Sequence, residues 1–169
     1  MESIRALIFA SIVGFLALIT ATWLIMLAYM DLQASGTQVA MDQWAKHPNS
    51  LDVTAWEATY TPLHEALRTT PDNPEYLELM GRLYRWKAYA LGEDVTAVRN
   101  ADQEALRYFQ HALTISPARP QLWAGVIEVK QALGQYDEDM QQAIQVAAEY
   151  GAWLPDVQRI IMQAGTAGW

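Results

Sequence analysis

The sequence predicts an all-α fold: one N-terminal transmembrane helix followed by a short α-solenoid of antiparallel helix pairs. Three observations carry this expectation. The run Ala6–Met30 holds no charged residue. Leu77, Met80, Gly81 and Tyr84 stand at i, i+3, i+4 and i+7, and Ala105, Phe109 and Ala112 at i, i+4 and i+7, each marking one face of a helix. Pro71 and Pro117 lie 46 residues apart, and a bulky residue follows each by six positions, Leu77 and then Trp123.

The run Ala6–Met30 is 25 residues long. As a helix it rises about 37 Å, enough for a hydrocarbon core of about 30 Å with some tilt. Trp23 and Tyr29 stand toward its C-terminal end, where interfacial aromatics belong. A cleaved signal peptide is the rival reading, with Ala34-Ser35-Gly36 as the cleavage site. Its apolar core runs about 7–15 residues, and this run exceeds that. A buried soluble helix is disfavoured because no face is polar. Arg5 and the α-amino group precede the run, with Glu2 against them, and no Lys or Arg follows until Lys46. The positive-inside bias puts the N-terminus in the cytoplasm and the remainder outside, a periplasmic domain if the membrane is a bacterial inner membrane.

Residues 1–32 are thus the expected anchor, 33–53 a juxtamembrane helix and linker, and 54–169 the helical domain. The first helix can continue through Val39, Met41 and Trp44 until His47-Pro48 breaks it. Asp52 or Thr54 can cap a second helix, in which Trp56, Tyr60, Leu63 and Leu67 share a face and Pro62 introduces a kink or a new start. The next helix is expected over Glu75–Leu91, with Gly92 as its stop. Glu93–Asp102 is polar, and Asn100 followed by Gln103 matches a capping box opening the helix after it. This stretch reads as extended helix plus a longer turn, or as a protruding loop that contacts a partner. A further pair spans Ala118–Tyr150 around Gly134. Pro155 then opens a last helix whose Val157, Ile160 and Ile161 can cover the open end of the stack. The terminal Trp169 is a further candidate contact.

The central pattern resembles the tetratricopeptide repeat. In that family a bulky residue, a Leu, a Gly and a Tyr mark one helix, and an Ala, an aromatic, an Ala and a Pro mark the next. Leu77, Met80, Gly81, Tyr84, Ala105, Phe109, Ala112, Pro117 and Trp123 occupy these packing slots. The 46-residue spacing exceeds the usual repeat of about 34, so about twelve residues are inserted between the two helices. Leu63 and Ala66 fit the preceding repeat, and Gly134, Tyr136 and Ala143 the following one, while Val126, Ile127 and Asp139 depart from the motif. The likeness covers about residues 54–152. The N-terminal anchor, the inserted repeat and the Leu-Met-Gly-x-x-Tyr-x-Trp run over Leu79–Trp86 resemble the VpsP-type family of exopolysaccharide biosynthesis. That resemblance implies an accessory or scaffolding role in polysaccharide production or export, without catalytic residues. An anchored periplasmic assembly factor, serving cytochrome c maturation or envelope chaperoning, is the alternative.

Composition narrows the chemistry. A net charge of −8 argues against a partner held by its phosphates, so no nucleic acid is expected. Cysteine is absent, which excludes disulfides, zinc thiolates and thiol nucleophiles. His47, His64 and His111 are too far apart in sequence for a helical metal pair, and no Gly-x-Ser-x-Gly, His-Glu-x-x-His or glycine-rich phosphate loop occurs. Asp137-Glu138-Asp139 reads as a solvated helix start rather than a calcium loop. The expectation is a non-enzyme without cofactor or metal, whose partners are the membrane and a protein held at it. Curved stacks of helix pairs hold a partner on their concave face. Tyr76, Arg85, Trp86 and Tyr89 are of the residue types that dominate protein interfaces and are the candidate contacts.

Overall fold

A computed structural model describes residues 2–166. Met1 and residues 167–169 lie outside it, and with them the reading of Trp169. Among the described residues there are seven α-helices, one 3-10 turn and no strand. Helix α1 runs over Glu2–Lys46, α2 over Val53–Thr69, α3 over Pro74–Leu91 and α4 over Val95–Ile115. Helices α5 (Pro120–Leu133), α6 (Glu138–Gly151) and α7 (Pro155–Thr166) complete the chain. Each helix packs on the next, and the odd-numbered helices also touch in the order α1, α3, α5, α7.

Local chemistry sets these boundaries. Asp52 accepts from the Ala55 N–H at 2.7 Å, Asn73 from Glu75 and Tyr76, Asp94 from Ala97 and Asp137 from Met140, so four helices start on a side-chain cap. Pro74 and Pro120 occupy first-turn positions, where the missing N–H costs nothing. Gly92 and Gly134 end α3 and α5 at φ of +61° and +68°, a region open to glycine at little cost. Pro62 lies inside α2 without interrupting it.

The start of α4 differs from the expectation at Asn100 and Gln103. Asp94 is the cap, and α4 gains about two turns over the capping-box reading. The added turns are held by that cap, which accepts from the Ala97 N–H, and by the half-burial of Ala97 and Val98. The inserted residues therefore lengthen both helices and leave Gly92–Asp94 as the turn.

Residues 33–53 also depart from the expected division. Ala34, Thr37, Met41 and Trp44 are buried at helical spacing, and three of them, Ala34, Met41 and Trp44, belong to the apolar core shared with α2 and α3. Helix α1 therefore contributes side chains to the core of the helical domain. At 45 residues α1 is about 68 Å long. Among the described residues it is the helix long and apolar enough to cross a membrane, with Phe9, Phe15, Trp23, Ile25 and Tyr29 exposed along it. Thr20 and Thr22 donate back to the carbonyls of Ala17 and Leu18, which satisfies their hydroxyls within the helix.

At the centre, Leu77, Met80, Gly81, Ala105, Phe109 and Ala112 are buried, Tyr84 and Trp123 are half-buried, and Pro117 is exposed. The Phe109 ring is wedged between α3 and α5. A Cβ on Gly81 would lie 2.9 Å from it, and a Cβ on Gly125 would lie 2.6 Å from it. The ring cannot retreat from one glycine without meeting the other. Two polar ties hold the neighbours. Trp56 donates its indole N–H to the Leu83 carbonyl at 2.7 Å. Lys130, buried in α5, reaches both Asp137 oxygens at 2.7 and 2.8 Å, joining α5 to the cap of α6. A sequence reading of Asp137 as solvated helix start misses this pair.

Gly81→Leu is expected to cost about 1–3 kcal/mol by overpacking. Gly125→Ala is expected to destabilise as well, while Gly165→Ala, with open space around its Cβ, is not. Urea unfolding of the detergent-solubilised chain, followed by helical circular dichroism, measures all three.

Candidate interaction groove

The odd-numbered helices enclose an open groove of about 640 Å³. Helix α3 lines it with Glu78, Arg82, Arg85, Trp86 and Tyr89, a stripe at i, i+4, i+7, i+8 and i+11. Helix α5 contributes Gln121, Ala124, Gly125 and Glu128, and α7 contributes Asp156, Arg159 and Ile160. Ala45 of α1 closes one side, and Phe109 reaches the floor from α4. The glycine that admits the Phe109 ring thus also lowers the α5 wall of the groove.

The four sequence candidates have separate fates. Tyr76 is buried, 4% exposed, and its hydroxyl donates to Asp31 of α1 at 2.7 Å. It does not face the groove. Burial, and then the Asp31 carboxylate, push its phenol up to about 12. Arg85 lines the groove but pairs with Asp102 of α4, whose side chain is buried. Trp86 is half-buried, edge-on to Trp44 at 6.0 Å between centroids and to Tyr89 at 5.9 Å. Tyr89 is 60% exposed and free to meet a partner.

Sequence reasoning did not select Arg82, Glu128, Asp156 or Arg159. The α3 stripe was within reach, since Arg82 shares the helical face of Arg85, Trp86 and Tyr89. The α5 and α7 residues depend on how three helices cross, which local period does not report. Glu128 stands among Arg82, Arg85 and Arg159. Burial pushes its carboxyl up, and these three guanidinium groups pull it part of the way back. Glu78 is raised by burial in the same way, against Arg119, whose Nη2 lies 2.9 Å from its Oε2, and Arg82. The groove therefore carries interleaved charge of both signs on an aromatic and aliphatic base.

Rings also gather where α2, α3 and α4 meet. Trp56 stacks on Tyr60 at 4.8 Å, and Tyr84 stacks on Tyr108 at 5.6 Å. The Lys87 ammonium lies 4.1 Å from the Trp56 ring centroid, a cation–π contact. Burial raises the Tyr84 and Tyr108 phenols. His64 lies 3.1 Å from the Tyr60 hydroxyl, and His111 lies 3.2 Å from Asp72. Among the described residues no three His, Asp or Glu side chains converge as metal ligands would.

No protein-family model matches the chain, and no curated protein matches it.

The Glu128 shift has a definite sign. Folding raises this pKa, so the folded state holds the proton better than the unfolded chain. The associated stability is complete below the ordinary glutamate pKa and is lost as pH rises through the raised value. Glu128→Gln is therefore expected to stabilise the chain at pH 7, with the gain shrinking below about pH 4. Paired urea titrations at the two pH values measure it.

Proposed function

We propose that the chain is a membrane-anchored scaffold or adaptor with a tetratricopeptide-like helical domain, which binds a protein partner in the groove. The groove carries the proposal: one face each of α3, α5 and α7 meet around Tyr89 and Trp86, with Arg82 and Arg159 beside them. Aromatic and arginine side chains supply most of the energy in protein interfaces. The contacts between alternate helices, and a phenylalanine seated against glycine, support a stacked-repeat arrangement. The apolar part of α1 is the proposed inner-membrane anchor, with its N-terminus in the cytoplasm and the helical domain in the periplasm. The proposed setting is accessory to exopolysaccharide biosynthesis or export, a reading supported by the likeness in arrangement to VpsP-type proteins.

Affinity capture from detergent-solubilised membranes of the source cell tests this reading. Glycosyltransferase or export proteins are expected to co-purify with the tagged chain. Tyr89→Ala is expected to weaken capture about tenfold, some 1–2 kcal/mol, while leaving the fold intact. Haem-lyase or translocon components in their place would instead support an assembly factor. Capture unchanged by Tyr89→Ala and by Arg159→Ala would place the interface elsewhere.

A further inference from the structure

One end of the helical domain lies level with the point where α1 becomes charged. Helix α1 leaves the apolar segment at Asp31, the first charged residue after Arg5. At that level Tyr76, in the first turn of α3, donates its hydroxyl to Asp31. Arg119, just before α5, reaches Glu78 at 2.9 Å and Glu75 at 3.8 Å on the same turns of α3. Gly151, at the end of α6, lies so close to the start of α5 that a Cβ there would stand 2.7 Å from the Pro120 Cβ. The turns at Thr70–Asn73, Ser116–Arg119 and Ala152–Leu154 therefore share one end of the domain, the end from which the apolar helix departs.

This end exposes Leu32, Ile115, Tyr150 and, at 71%, Trp153. Pro71, Pro117 and Ala118 are exposed beside them. Exposed carboxylates stand at both ends, Asp72, Glu75 and Asp156 here and Glu93, Asp94, Asp137, Glu138 and Asp139 at the opposite turns. Tryptophan and tyrosine concentrate at the headgroup level of bilayers, where an apolar body and a polar tip are both satisfied.

We propose that this end is a second membrane contact: Trp153, flanked by Tyr150, inserts into the bilayer interface and lays the domain on the membrane. The contact rests on the reading of α1 as a membrane anchor. The occupant is lipid because the face is continuous with the apolar helix and the Tyr76–Asp31 hydrogen bond fixes it at the depth where that helix becomes charged. With α1 at one edge and Trp153 at the other, the domain is held at two points.

The chain has no cysteine, so single cysteines can be introduced and labelled without background. Ala152→Cys, Tyr136→Cys and Phe15→Cys would each be labelled with nitrobenzoxadiazole in the full chain. The chain would then be reconstituted in phosphatidylcholine–phosphatidylglycerol vesicles containing nitroxide lipids. The label at 152 is expected to be quenched several-fold more strongly by headgroup-level nitroxide than the label at 136, and Trp153→Glu is expected to abolish that difference. Equal quenching at 136 and 152, with position 15 still quenched by deep nitroxide, would overturn the contact while leaving the anchor standing. Absence of quenching at position 15 would overturn the anchor and the contact together. A label at 152 shielded from an aqueous quencher yet insensitive to nitroxide lipid would show that protein covers Trp153, which also overturns the proposal.

Discussion

Everything beyond residue 30 depends on α1 joining two differently patterned surfaces in one uninterrupted helix. Its first part is apolar on every side, and its second part is amphipathic, with Ala34, Thr37, Met41 and Trp44 turned toward α2 and α3. A helix needs no change of geometry to pass from one regime to the other; only the pattern on its surface changes. The consequence is mechanical. A flexible linker would uncouple the apolar segment from the domain, whereas a shared helix passes its own orientation to the core.

From that first layer the remaining helices follow by close approach. Trp44 meets Trp86, Trp56 bonds the α3 backbone at Leu83, and Phe109 fills the space left by two absent side chains. These contacts also build the groove, because Trp86, Phe109 and Gly125 line it while serving the core. Packing and recognition therefore share residues. Tyr89, which reaches past Trp86 into solvent, is the better separated of the two roles.

What was legible in the sequence was what repeats locally. Leu77, Met80 and Gly81 on one helix, and Ala105, Phe109 and Ala112 on another, announce buried faces because period alone places them. Gly125 was not legible. Shifting Gly81 by the 46-residue spacing lands on Ile127, and the glycine that meets Phe109 stands two residues earlier. The start of α4 was misplaced because two cap signals compete there, and Asp94 takes the cap, with Ala97 and Val98 half-buried in the turns it adds. Tyr76 looked like a surface contact because its partner Asp31 lies 45 residues away, on a segment that reads as anchor. The charged members of the groove on α5 and α7 were hidden for the same reason. Their meeting is a property of helix crossings, not of spacing within one helix.

The central claim is that α1 is continuous and rigid where it passes from the apolar segment into the core. Ser35 and Gly36, poor helix formers, sit exposed at that passage between the buried Ala34 and Thr37. Amide hydrogen exchange on the full chain in lipid nanodiscs tests this most directly. Protection over residues 31–44 comparable to that of α3 is the predicted result. Rapid exchange at residues 31–37 beside a protected α3 would show a hinge there and contradict the account.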